Sequence, residues 1–295
     1  MATAREVLLD RFTTALENGV VPWKKPWTTS SNGPANYVTG KPYSGINILL
    51  CLCSDYSNPY FLTFNQITSL GGKLKKGSKG IPLAFYKNYT TTDENAEEEG
   101  EEQKRFVLRY FTVFRWEDTE GIPEKKPEGA RADIEPIQVA EAIWESYEDR
   151  PALVPGGDKA FYSPGRDCIG MPARNSFTSA DRYYSTLFHE MIHSTGAAKR
   201  LDRPELRSVS FGSESYSREE LVAEIGAAFL VAEAGIETDE AFNQSSSYIA
   251  GWLKALKDDP GAIFAAAGRA SKAANYILAR ESQKAEADEG MKAAA

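Results

Sequence analysis

Histidine is nearly missing from this 295-residue sequence, which contains two. Cysteine is scarce as well. Cys51, Cys53 and Cys168 are an odd number without C-x-x-C spacing, which argues against a disulfide framework or a zinc knuckle and for reduced, structural thiols. No apolar run approaches the roughly 18 residues that a membrane helix needs, so no membrane role is expected. The opening MATAREVLLDRFTTALENG reads as an amphipathic helix, not a secretory signal, and cytoplasmic location is the expectation. The G-x-x-x-x-G-K-[ST] order is absent, which excludes a P-loop. What remains is a soluble globular composition, 42% hydrophobic and 26% charged, in a chain long enough for two domains.

Both histidines fall in TLFHEMIHSTG, four positions apart, with Glu190 directly after His189. Random placement gives this pattern roughly once in 1,500 trials. Tyr184, Leu187, Phe188, Met191, Ile192 and Thr195 recur at the spacing of an amphipathic helix, with Ser179 as N-cap and Gly196 as stop. His189 and His193 then share one side of that helix and can grip one metal ion, while Glu190 reaches a water on the same ion. This H-E-x-x-H pattern points to zinc hydrolase chemistry, with the carboxylate as general base for attack on a carbonyl.

A catalytic zinc needs a third protein ligand. The route H-E-x-x-H-x-x-G-x-x-H fits Gly196 but places Lys199 at the last position, so an acid on a second helix is expected. YSREELVAEIGAAFLVAEAG, residues 216–235, offers Glu220 and Glu224 on one face. Its E-L-V-A-E pattern resembles the E-x-x-A-[DNE] helix of gluzincin-type metallopeptidases. The resemblance implies that Glu220 binds the metal and that Glu224 orients a ligand from the second rank. Ser217 and Glu220 also fit a capping box, in which case Glu224 becomes the ligand candidate; Glu219 is third.

AFYSPGRDCIGMP, residues 160–172, reads as two short strands around a Pro-Gly turn, a sheet edge beside the helix that could pair with an extended peptide. Tyr216, Tyr183 and Tyr184 are candidates for stabilising an oxyanion, although the apolar stripe favours a core position for Tyr184.

Charge divides the chain. Residues 1–90 carry ten Lys and Arg against four Asp and Glu, whereas residues 91–130 carry six against twelve. Within the basic block, GGKLKKGSKG presents Lys73, Lys75, Lys76 and Lys79 on a flexible loop that could neutralise backbone phosphates without reading bases. Trp23, Trp27 and Tyr43 are among the nearby rings on which the bases of a single strand could stack. Core packing and a solvated loop explain the same residues without nucleic acid. TTDENAEEEGEEQK, residues 91–104, has too little apolar content to fold and reads as a hairpin tip between IPLAFYKNY and RFVLRYFTVFRW. An acidic loop of this kind could also imitate DNA phosphates.

The series VVPWKKPW, GKPYSGINILLC and YFLTFNQITSLGGKLKKGSKG resembles the N-terminal domain of ArdC-type antirestriction proteins. STLFHEMIHSTGAAKRLDR followed by YSREELVAEIGAAFL resembles their zincin-like metallopeptidase domain. The resemblance implies an α+β fold of two domains: single-stranded-DNA-binding at 1–120 with the acidic insertion 91–104, and gluzincin-type metallopeptidase at 136–283. A linker at 121–135 and a disordered tail at 284–295 complete the expectation. It further implies sequence-tolerant binding of single-stranded DNA, protection of incoming plasmid DNA, and a host restriction-modification component as a possible target. Zn2+ is the expected cofactor, with Mn2+ or another divalent ion as alternative. A DNA-binding shield with a silent metal domain and an ordinary cytosolic peptidase are the competing functions.

Overall fold

The structure is a computed structural model that describes residues 3–18, 33–54, 56–91, 103–125, 136–207, 214–236, 258–259 and 261–280. Trp23, Trp27, the tip of the acidic insertion at 92–102 and the tail expected from 284 lie outside the described residues.

The chain opens with helix α1 (Ala4–Glu17), started by a capping box in which Thr3 and Glu6 satisfy each other's backbone N–H groups. It buries Leu8, Phe12 and Leu16 at the 4,4 spacing of one helix face. Strands β1 (Ala35–Asn36) and β2 (Tyr60–Thr63) flank helix α2 (Ile46–Leu52), and helix α3 (Phe64–Ser69) follows directly from β2. A ribbon strand β3 (Lys73–Leu74) precedes the long pair β4 (Ile81–Thr91) and β5 (Gln103–Arg115). These two run antiparallel from Ile81↔Val113 to Thr91↔Gln103, so the acidic segment does connect a hairpin. The sheet order is β1-β2-β5-β4, and a separate ribbon joins β3 to β6 (Thr119–Glu120).

The segment expected to be a linker begins as packed chain. Ile122 is buried against Leu62 and Ile67, and the Pro123 carbonyl accepts bonds from Tyr37 Oη (2.8 Å) and Trp116 Nε1 (3.1 Å). Residues 126–135 lie outside the described residues. Pro, Gly and charge signalled a connection here but could not show that its first residues find carbonyl and ring partners.

The C-terminal half places helix α4 (Pro136–Ser146) before a three-stranded sheet: β7 (Ala152–Pro155), β8 (Phe161–Ser163) and β9 (Cys168–Met171). Its order is β7-β9-β8, with β8 at an edge. Helix α5 (Ala180–Thr195) follows, N-capped by the Ser179 side chain and C-capped at Gly196. It buries Tyr184, Leu187, Phe188, Met191 and Ile192. Each such side chain removed from water contributes roughly 1.5–3 kcal/mol. Helices α6 (Pro204–Arg207), α7 (Glu214–Ala234) and α8 (Ala262–Ile277) complete the described elements.

One continuous apolar cluster runs through both halves, from Leu8 and Phe12 of α1 through Leu49 of α2 to Ile192 of α5 and Ile263 of α8. At the junction the Gly45 N–H donates to Ser271 Oγ of α8 at 3.4 Å. None of the three cysteines is in a disulfide, and Cys51 and Cys168 are buried. No helix among the described residues is long and apolar enough to cross a membrane.

Candidate functional site

Helix α5 sets His189 and His193 one turn apart, with their Nε2 atoms separated by 3.1 Å. Glu220 of α7 approaches both rings, with Oε2 at 3.6 Å from His189 Nε2 and Oε1 at 3.4 Å from His193 Nε2. The three ligand atoms lie within 4.8 Å of one another. Tetrahedral coordination at about 2.0–2.2 Å separates donors by roughly 3.3–3.6 Å, so this set of two imidazoles and one carboxylate fits a zinc-like ion with little adjustment.

The capping-box alternative for Glu220 fails on position. Helix α7 begins at Glu214, so Ser217 is inside the first turn and is not the N-cap. Glu219, the third-ranked acid, proves to be the carboxylate that meets an imidazole from behind: its Oε1 lies 3.2 Å from His193 Nδ1. That is the kind of contact expected of Glu224, which sits a turn further along α7, half-buried. Adjacent positions on a helix differ by about 100°, so Glu219 and Glu220 reach opposite nitrogens of the same ring.

Arg203, which pattern reading missed, closes this arrangement. It donates to both oxygens of Glu219, from Nε at 3.0 Å and Nη2 at 2.5 Å, and to Thr195 Oγ1 and the Ile192 carbonyl. The sequence signal was weak, a basic residue seven positions past the helix stop.

Electrostatics follow from burial among opposite charges. Burial works against the charge on His193, but hydrogen bonds and charge from Glu219 and Glu220 more than offset it and lift its pKa to about 9. Burial likewise disfavours ionised Glu220, yet the two histidines pull its pKa well below the usual carboxylate range. Glu190 differs: burial dominates and raises its pKa, countered in part by His189 and His193. These groups line a cavity of about 540 Å3, together with Phe161 and Tyr162 of β8 and Leu206 of α6.

Two of the three tyrosine candidates are occupied elsewhere. Tyr184 donates to Glu141 Oε1 at 2.5 Å and accepts from Arg174, while its ring is buried. Tyr183 is buried edge-on against Phe177, with Arg174 over its ring. The side chain of Tyr216 lies outside the described residues.

In the N-terminal half, Lys73, Lys75, Lys76 and Lys79 are all exposed on one short stretch. The loop is more ordered than its glycines suggested. Lys73 pairs with Glu120 across the β3–β6 ribbon, and Lys75 Nζ donates to the Glu117 carbonyl at 2.7 Å. Gly72 is there because of close approach: a Cβ would collide with the Ile122 side chain. Tyr43 is half-buried and packs edge-on against Phe61, with centroids 6.3 Å apart, at the border of the main core.

Comparison with known proteins agrees in both halves. Residues 2–114 match the N-terminal domain of anti-restriction factor ArdC, and residues 140–269 match a zincin-like metallopeptidase family. The metal-free crystal structure of antirestriction ArdC protein from plasmid R388 is 33% identical, with a TM-score of 0.73 over 93% of this chain and 96% of that one. The chain belongs to the ArdC antirestriction family. The Mn(II)-bound form of R388 ArdC matches at 32% identity and a TM-score of 0.71, with the same coverage. DNA primase TraC of Escherichia coli is 35% identical over 95% of this chain, which spans 20% of the primase's length. The ArdC-type architecture is thus α+β with two domains, the second zincin-like.

Proposed function

We propose that this chain is an antirestriction protein that binds single-stranded DNA without sequence preference and carries a zinc-dependent peptidase site, protecting incoming plasmid DNA from host restriction. The observation that carries the reading is the convergence of His189, His193 and Glu220 beside Glu190 in a cavity under the β8 edge. Two nitrogens and one oxygen suit zinc, and manganese is the alternative that the Mn(II)-bound relative supports.

A divalent ion held by His189, His193 and Glu220 supplies Lewis acidity, polarising a carbonyl and lowering the pKa of a water towards about 7. Glu190 is placed to take the proton of the attacking water and return it to the departing amine, and its burial keeps it a more effective base than an exposed carboxylate. Glu219 holds His193 by Nδ1 and leaves Nε2 facing the cavity. The edge position of β8 gives an extended peptide a strand to pair with, and Phe161 and Leu206 offer apolar contact. On the other half, the exposed lysines supply sequence-independent attraction for phosphates. A host restriction-modification component is the target class this combination suits.

The reading is tested on purified protein stripped with chelator and reloaded with zinc or manganese. Cleavage of an unfolded protein such as casein should return with metal, and a labelled single strand should bind more tightly than the same sequence as duplex. Metal without cleavage would leave a DNA-binding shield; equal affinity for both DNA forms would remove the single-strand assignment.

A further inference from the structure

We infer that Arg203 is a positioning residue of the metal centre, whose guanidinium clamps Glu219 behind His193 so that Glu220, and not its neighbour, faces the metal position. The inference rests on the metal-centre reading above. Glu219 and Glu220 are consecutive, chemically identical, and both within reach of His193, at 3.2 Å from Nδ1 and 3.4 Å from Nε2. Something must prevent Glu219 from swinging toward the same ion. Glu219 is 2% exposed, so its two oxygens have little water and need protein donors.

Arg203 supplies them in a two-pronged contact, Nε to Oε2 at 3.0 Å and Nη2 to Oε1 at 2.5 Å. The guanidinium is in turn fixed by α5 itself. Nη1 donates to Thr195 Oγ1 at 2.6 Å and Nη2 to the Ile192 carbonyl at 2.7 Å, at the helix end where a cation is favoured. The clamp is therefore anchored on the helix that carries both histidines and holds a side chain of the helix that carries Glu220. Oε1 of Glu219 keeps its remaining capacity for the His193 Nδ1–H, which fixes the tautomer whose Nε2 lone pair faces the cavity. A lysine at 203 keeps the charge but cannot make the fork.

The test measures Zn2+ affinity of the full chain by competition with a chromophoric chelator, for wild type, Arg203→Lys, Glu219→Gln, the double variant and Arg200→Lys. Arg203→Lys and Glu219→Gln should each weaken binding about 10–100-fold. The double variant should be no weaker than the worse single one, because Arg203 acts through Glu219. Arg200 is the control for a structural role: it too is buried against the end of α5, donating to the Ser194 carbonyl at 3.1 Å, but its carboxylate partner is Asp167. Arg200→Lys should lower the melting temperature and leave Zn2+ affinity unchanged. Wild-type affinity in Arg203→Lys, or losses that multiply in the double variant, would overturn the inference. Should Arg203→Lys not fold, unchanged affinity in Glu219→Gln overturns it equally. A wild type that binds no Zn2+ defeats the metal-centre reading itself and the inference with it.

Discussion

Glu190, the acid between the two histidines, lines the same cavity as Tyr162 of the edge strand β8. Glutamine at 190 keeps the size and shape of the side chain and cannot accept the proton. Glu190→Gln should therefore bind zinc within a few-fold of wild type and lose about 10²–10⁴-fold in hydrolysis rate. Metal content and single-turnover cleavage measured on the same sample check this; a variant that retains wild-type rates removes Glu190 as the base.

His193 predicts proton-linked metal binding. Its pKa of about 9 in the metal-free protein lies above the ordinary 6.5, because Glu219 and Glu220 outweigh burial. A metal ligand must be neutral, so zinc binding at pH 7 should release about one proton, and affinity should rise close to tenfold per pH unit until about pH 9. The metal-free fold behaves oppositely. The protonated ring contributes stability that is complete below about pH 6.5 and lost as pH rises through about 9. Calorimetry in buffers of different ionisation enthalpy reports the proton; melting of metal-free protein between pH 6 and 9.5 reports the second effect.

Neutralising Lys73, Lys75 and Lys76 to alanine should weaken single-strand binding and flatten its salt dependence. Every phosphate left without its lysine lowers the log–log slope by about 0.7 for a single strand, so the three substitutions together should lower it by about 2. A slope unchanged in fluorescence-anisotropy titrations from 50 to 200 mM salt moves the DNA site elsewhere.

Gly226 lets α7 lie close on α5. A Cβ there would fall 2.7 Å from Ile192 Cδ1 and 2.9 Å from Cγ1, and Ile192 is fully buried. Gly226→Ala should cost about 1–3 kcal/mol from overpacking despite the better helix propensity of alanine. It should also weaken zinc binding, since it forces apart the helices that carry the histidines and Glu220. Adding Ile192→Val, which removes Cδ1, should restore part of both. Melting temperature and zinc affinity of the two variants decide the matter.

The legible parts were those that local geometry dictates. The reach of α5, its Ser179 cap and its Gly196 stop follow from spacing and cap chemistry, and the β4–β5 hairpin follows from two β-rich runs around a charged one. The packing of Tyr43 against the core and the order of the lysine loop were not legible. A ring that stacks on a base and a ring that packs on Phe61 have the same sequence signature, and the partners that order the loop, Glu117 and Glu120, lie some forty residues away.

The same division runs through the metal centre. That His189, Glu190 and His193 share one turn of helix could be read from the order of residues, because the i, i+4 relation depends only on helical geometry. Which of the glutamates on α7 faces the Nε2 atoms of both rings depends on how α7 is rotated about its own axis, and a rotation of about 100° exchanges Glu219 for Glu220. Packing between distant segments set that angle, through the Gly226–Ile192 approach and the Arg203 clamp, and the separation of those partners along the chain carries no periodic signal.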